Sequence, residues 1–186
     1  VKIMKSTNLK SILDKTKKKN IAIIGHMGSG KSILSKKLAQ IYNSGYIDTD
    51  NEILIFEKKS INQIFTEKGE NYFRKLESKI VKKCLEKKNI IISLGGGSIL
   101  SKEVRKTLKK NSISIFLFTD LKILKTRLKN SKNRPLLQGS NILTTLNKLD
   151  NKRKKYYLKA DIIIDNSGTI NNSLNSLKSI LSTING

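Results

Sequence analysis

The stretch Ile21-Ala22-Ile23-Ile24-Gly25-His26-Met27-Gly28-Ser29-Gly30-Lys31-Ser32, followed by a stripe of Leu34, Leu38 and Ile41, decides the fold. Four apolar residues without polar alternation suit a strand buried on both faces of a parallel sheet. GHMGSGKS then places Gly25, Gly30, Lys31 and Ser32 in the pattern of a phosphate-binding loop, between a strand and a helix as that motif requires. Glycines let the backbone curl so that successive N–H groups face phosphate oxygens, and the following helix presents its positive end to the same anion. Lys31 supplies a mobile charge for the β- and γ-phosphates, and the Ser32 hydroxyl can ligate Mg²⁺. The ATP-binding set expected from this loop is Gly28, Ser29, Gly30, Lys31, Ser32 and Ile33. His26, the single histidine, is expected to be a solvent-facing filler of the loop and not a base.

Outward from the loop, four more apolar runs follow at Gly45 to Ile47, Ile90 to Leu94, Ile113 to Phe118 and Asp161 to Ile164. Helical stripes separate them: Phe73, Leu76, Ile80 and Cys84, then Ile123, Leu124 and Leu128. Leu174, Leu177 and Leu181 mark a closing helix. Strands alternating with amphipathic helices predict one α/β doubly wound domain. Residues 130–141, with Pro135 and Gly139, form the longest expected loop. The lysine-rich residues 1–19 are set apart as a basic N-terminal extension, and 20–186 as the domain.

The formal charge of +24 would ordinarily put nucleic acid or an anionic surface among the partners. The lysines are instead spread along the whole chain without interleaved aromatics, and abundant Lys, Asn and Ile read as the bias of an AT-rich coding genome. No specific nucleic-acid partner is expected. No apolar run approaches the roughly 18 residues of a membrane span, and the N-terminal residues lack the pattern of an export signal. The expectation is a cytoplasmic monomer without a membrane partner. Cys84 lies at helical spacing beside Val81 and Leu85 and is expected to be a buried structural thiol.

The acceptor must be read from other residues. Asp48 and Asp50 bracket Thr49 at the end of the second strand, where side chains at i and i+2 share a face that opens on the ligand crevice. One acid can hold Mg²⁺ through water while the other binds an acceptor hydroxyl and takes its proton. Taken alone, DTD is equally a turn or helix cap. Arg74 and Glu77 are three apart on a helix and therefore neighbours, as a structural salt bridge would also have them. Gly95, Gly96 and Gly97 end the third strand, leaving room for a ligand to approach the backbone, or making a flexible turn.

The ordered set GHMGSGKS, IDTD, FRKLE, LGGG, an RPLL-containing loop and the late arginine of NKRKKYY resembles the shikimate kinase family, from Ile21 to Gly168. The resemblance implies a P-loop three-layer α/β/α sandwich with a five-stranded parallel sheet and a mobile lid at about 130–141. It implies ATP-dependent phosphorylation of the 3-hydroxyl of shikimate, in the pathway to chorismate and the aromatic amino acids. By the same resemblance Asp48 is the acid near the metal and Asp50 the shikimate-binding base. Arg74 and Arg153 grip the substrate carboxylate, with Glu77 orienting Arg74. Gly95, Gly96 and Gly97 form the substrate-side loop. Arg134 is the lid arginine and Arg127 lies against adenine. The chain departs from the family pattern in its first twenty residues, at Lys154 and Lys155 before the tyrosines, and around Asp165 to Gly168.

Arginine usage supports the assignment. Against 33 lysines there are five arginines, at 74, 105, 127, 134 and 153. Four of them fall where a planar fork is needed to hold carboxylate or phosphate, a task an ammonium does less well. Arg105 is expected on a solvated helix surface. Two rivals differ in what they require. A gluconate-type sugar-acid kinase would share the loop and lid but not the substrate set, and a non-catalytic basic P-loop protein would lack at least one of Lys31, Ser32, Asp48, Asp50 or Arg134.

Overall fold

The structure, a computed structural model, describes residues 8–129 and 141–185. Arg134 and the expected lid, apart from Asn141, lie outside the described residues.

Five parallel strands, β1 (Asn20–Ile24), β2 (Gly45–Asp48), β3 (Ile90–Ser93), β4 (Ser112–Phe118) and β5 (Ile162–Asp165), form one sheet in the order β2-β3-β1-β4-β5. Each observed strand lies within a residue or so of an apolar run read from the sequence. Between and around them run α1 (Leu9–Thr16), α2 (Lys31–Ile41), α3 (Thr49–Glu57), α4 (Ile61–Leu85), the 3₁₀ turn Ser98–Leu100, α5 (Lys102–Asn111), α6 (Leu121–Leu128), α7 (Ile142–Tyr157) and α8 (Ile170–Asn185). α4 is bent at Gly69, whose φ of 77° and ψ of 167° break the helical path.

Alternate strand residues feed two cores, because successive side chains leave a sheet on opposite faces. Ile21 and Ile23 join Leu34, Leu38, Leu177 and Leu181 beneath α2 and α8. Ala22 and Ile24 join Val81, Leu85, Val104, Leu108 and Tyr157 beneath α4, α5 and α7. The result is a three-layer α/β/α sandwich. Residues 9–16 of the lysine-rich N-terminal segment form α1, which buries Leu9, Ile12 and Leu13 in the first core against α8. Burying each such side chain is worth about 1.5–3 kcal/mol. Cys84 is buried in the second core, and burial pushes its thiol up to about 11, so it is inert packing.

From β1 the chain winds to β3 and β2 on one side and to β4 and β5 on the other. The strand order therefore reverses at β1, and the crevice beyond its carboxyl end is where such sheets bind ligands.

Candidate active site

The loop between β1 and α2 uses glycine where the backbone requires it: Gly28 and Gly30 adopt φ of 77° and 94°. Lys31 curls back across the loop and donates to His26 O at 2.7 Å. The far wall is fixed by Asn166, whose Nδ2 donates to Ser29 O at 2.6 Å, while Ser173 donates to Asn166 Oδ1 at 2.8 Å. Arg127 Nη2 donates to Asn166 O at 2.9 Å, so α6 is tied to the loop after β5. Together these segments enclose a cleft of about 280 Å³ lined by Gly28, Gly30, Lys31, Ser32, Asp48, Asp50, Gly96 and Arg127 among others.

Asp48 closes β2, but Thr49 and Asp50 already belong to α3, so the two acids do not share a strand face as i and i+2. Asp48 is the N-cap instead: its Oδ1 accepts from Asp50 N at 3.0 Å. Its Oδ2 accepts from Ser32 Oγ at 2.6 Å and from Tyr46 Oη at 3.1 Å. The cap and metal-side readings of DTD are thus compatible, since the two carboxylate oxygens have different partners.

The three glycines after β3 explain how the acids and arginines beside the cleft are brought together. None of them has a positive φ. Their requirement is space: a Cβ on Gly95 would collide with Asp50 and crowd Glu77, and one on Gly97 would overlap the Arg74 guanidinium. A Cβ on Gly96 would lie 3.1 Å from Gly25 O and 3.5 Å from Arg153 Nη1. The glycines therefore admit protein side chains at least as much as a ligand, and they gather Asp50, Arg74, Glu77 and Arg153 around one loop. Thr49 Oγ1 accepts from Gly95 N at 2.9 Å and Ser98 Oγ donates to Gly95 O at 2.7 Å, which fix that loop.

Arg74 is oriented from two sides. Its Nη1 donates to Glu77 Oε2 at 2.7 Å, and its Nε and Nη2 donate to Glu70 Oε1 at 3.2 and 3.1 Å. Glu77 is only 3% exposed, and burial outweighs the neighbouring Arg74 charge to push its carboxyl up to about 7. A carboxyl raised on folding contributes stability that is complete below its unfolded value near 4.5 and is lost as pH rises through about 7. The parent is therefore expected to lose stability against Glu77→Gln as pH rises from 4.5 to 7, at up to about 1.4 kcal/mol per pH unit. Denaturant midpoints of both proteins across that range check this; parallel curves would contradict it.

Arg153 is 1% exposed, and its Nε and Nη1 have no hydrogen-bond partner among the described residues. A buried guanidinium with unmet donors is costly unless something anionic completes it. α7 presents Asp150, Arg153 and Tyr157 at i, i+3 and i+7, one helical face. Tyr157 Oη donates to Gly96 O at 2.6 Å and its ring stacks on Phe116 with centroids 4.9 Å apart.

Two expectations need correction. His26 is not a solvent-facing filler: it is 3% exposed because α7 lies over it, and its Nε2 is 2.9 Å from Asp150 Oδ1. Arg105 lies on the surface of α5 as expected but is half-buried and tied down, not freely solvated. Its Nη1 donates to Ile99 O and Leu100 O at 2.8 and 2.7 Å, and its guanidinium lies 3.9 Å from the Tyr156 ring centroid, so it caps the 3₁₀ turn. Glu70, Thr49, Asn166 and Tyr157 escaped the sequence reading. The i, i+4 spacing of Glu70 to Arg74 and of Arg153 to Tyr157 was the available signal.

A phosphate-binding loop beside a cluster of acids and arginines, on a five-stranded parallel sheet, is the architecture of a P-loop small-molecule kinase. The family model described as shikimate kinase matches residues 27–185. The chain is 41% identical over 150 residues to the shikimate kinase of Persephonella marina, covering 81% of this chain and 90% of that one. The structure of shikimate kinase from Acinetobacter baumannii in complex with shikimate superposes with a TM-score of 0.85 at 31% identity, covering 93% of this chain and 98% of that one. The chain belongs to the shikimate kinase family. A gluconokinase from Sinorhizobium meliloti shares the fold alone, with a TM-score of 0.55 at 17% identity over 89% of this chain and 93% of that one.

Proposed function

We propose that this chain transfers the γ-phosphoryl group of ATP to the 3-hydroxyl of shikimate, giving shikimate 3-phosphate and ADP, with the residues named above in the following roles. The glycine-rich loop, Lys31 and Arg127 hold the nucleotide. Asp50 accepts the hydroxyl proton as the oxygen attacks in line, and the β–γ bridging oxygen leaves with ADP. Arg74 and Arg153 bind the acceptor carboxylate, with Glu77 holding Arg74. Arg134, from the segment taken as the lid, offsets charge on the transferred phosphoryl group.

Ser32 Oγ and Asp48 Oδ2, 2.6 Å apart at the floor of the cleft, suit a hard divalent cation held by one hydroxyl, a carboxylate through water, and substrate phosphates. Mg²⁺ there would neutralise phosphate charge. The chain is proposed to act as a monomer. No helix among the described residues is long and apolar enough to cross a membrane.

The observation that carries the acceptor assignment is Arg153: a buried fork with donors unmet among the described residues, beside Asp50 and Arg74 around one glycine loop, calls for an acceptor that is both a carboxylate and an alcohol. Phosphorus NMR of a mixture with ATP, Mg²⁺ and shikimate is expected to show a phosphomonoester on shikimate and ADP in equal amounts, and chelation of Mg²⁺ should stop both. ADP formation without the phosphomonoester would overturn the proposal.

A further inference from the structure

His26 sits at the second position of the phosphate loop, yet it does not face the cleft. Its imidazole is buried beneath α7, with Nε2 2.9 Å from Asp150 Oδ1 and the ring edge against Tyr157 at a centroid distance of 5.1 Å. Because a carboxylate only accepts, Nε2 carries the proton, and Nδ1 has no partner among the described residues. The surrounding charges come from two elements: Asp150, Arg153 and, 4.0 Å from Asp150 Oδ2, Lys154 on α7, and Lys31 at the start of α2. Burial pulls the imidazole below its ordinary 6.5, with the Asp150 hydrogen bond opposing and Arg153 and Lys31 reinforcing.

α7 is thus pinned at two points that bracket Arg153. Asp150, one turn before it, is held by the phosphate loop, and Tyr157, one turn after it, by Gly96 O at 2.6 Å. The Arg153 guanidinium between them lacks partners at Nε and Nη1 among the described residues, so the helix that carries it must supply its position.

We propose that the His26–Asp150 hydrogen bond is a strut that positions Arg153 for the acceptor carboxylate, making His26 and Asp150 positioning residues of the acceptor site. The proposal rests on the assignment of Arg153 to that carboxylate. Losing a buried hydrogen bond of this kind is expected to raise the shikimate KM about 5- to 20-fold in Asp150→Ala and His26→Phe, with kcat within about threefold of the parent. Asp150→Asn keeps an oxygen that accepts from Nε2 and should restore KM to within about threefold. The double variant His26→Phe, Asp150→Ala should be no worse than either single change. An unchanged KM in Asp150→Ala, or additive effects in the double variant, would overturn the strut.

Hydrogen exchange in the ligand-free protein supplies a readout independent of substrate. Amides of residues 150–157 should exchange faster in Asp150→Ala and His26→Phe than in the parent or Asp150→Asn. Failure of the parent to turn over shikimate would contradict the acceptor assignment, and unchanged exchange would contradict the strut, so the two failures are distinguishable.

Discussion

Asp50→Asn is expected to lower kcat with shikimate by about 100- to 10,000-fold while leaving ATP affinity within a few fold. The carboxylate is placed by three independent features. Asp48 caps α3 through Asp50 N at 3.0 Å, fixing the backbone from which the side chain springs. Gly95 offers no Cβ, so the carboxylate can lie against the glycine loop beside Glu77. The same cleft that holds Lys31 and Ser32 is lined by Asp50, which puts a carboxylate next to the phosphate loop. Asparagine keeps the shape and loses the proton acceptor, so the loss should appear in kcat with KM little changed. Steady-state kinetics with shikimate varied at saturating ATP separates the two; a kcat within about threefold of the parent would remove Asp50 from the base role.

Arg153→Lys is expected to act on the other parameter. Lysine keeps the charge but not the planar fork, and the site is too buried for water to replace it. A bidentate contact with carboxylate is worth about 2–4 kcal/mol in such a setting, equivalent to roughly 30- to 700-fold in the shikimate KM. Nucleotide binding should survive, because Arg153 does not line the nucleotide cleft. Thermal shift by ATP therefore serves as the control for folding. An unchanged KM together with an intact ATP shift would show that the carboxylate is gripped elsewhere.

The strands were legible because burial on both faces of a parallel sheet leaves unbroken apolar runs, as at Ile21 to Ile24 and Ile113 to Phe118. The phosphate loop was legible because its backbone demands glycine at fixed spacing. The positions of Arg74 and Arg153 were legible as members of an ordered motif set, and their scarcity in a lysine-rich chain sharpened them.

What the sequence concealed depends on packing between distant segments. His26 lies 124 residues from Asp150, and no local pattern says that α7 will cover the loop and bury the imidazole. Asn166 reaches back 137 residues to Ser29 for the same reason. The role of α1 was hidden because a short, charged amphipathic segment looks like a solvated tail until Leu9, Ile12 and Leu13 find α8. The triple glycine was read as space for a ligand. Its tightest neighbours are the chain's own Asp50, Glu77 and Arg74, with Arg153 in ordinary contact, and only their convergence in three dimensions reveals it.

The central claim is that Asp50, Arg74 and Arg153 select a cyclic hydroxy-acid as phosphoryl acceptor. The most direct measurement is ADP release from Mg²⁺-ATP with shikimate and, separately, with gluconate. The account predicts saturable turnover with shikimate and a kcat/KM for gluconate lower by at least about 1,000-fold. Turnover with gluconate and none with shikimate would keep the kinase fold and contradict the acceptor site as described.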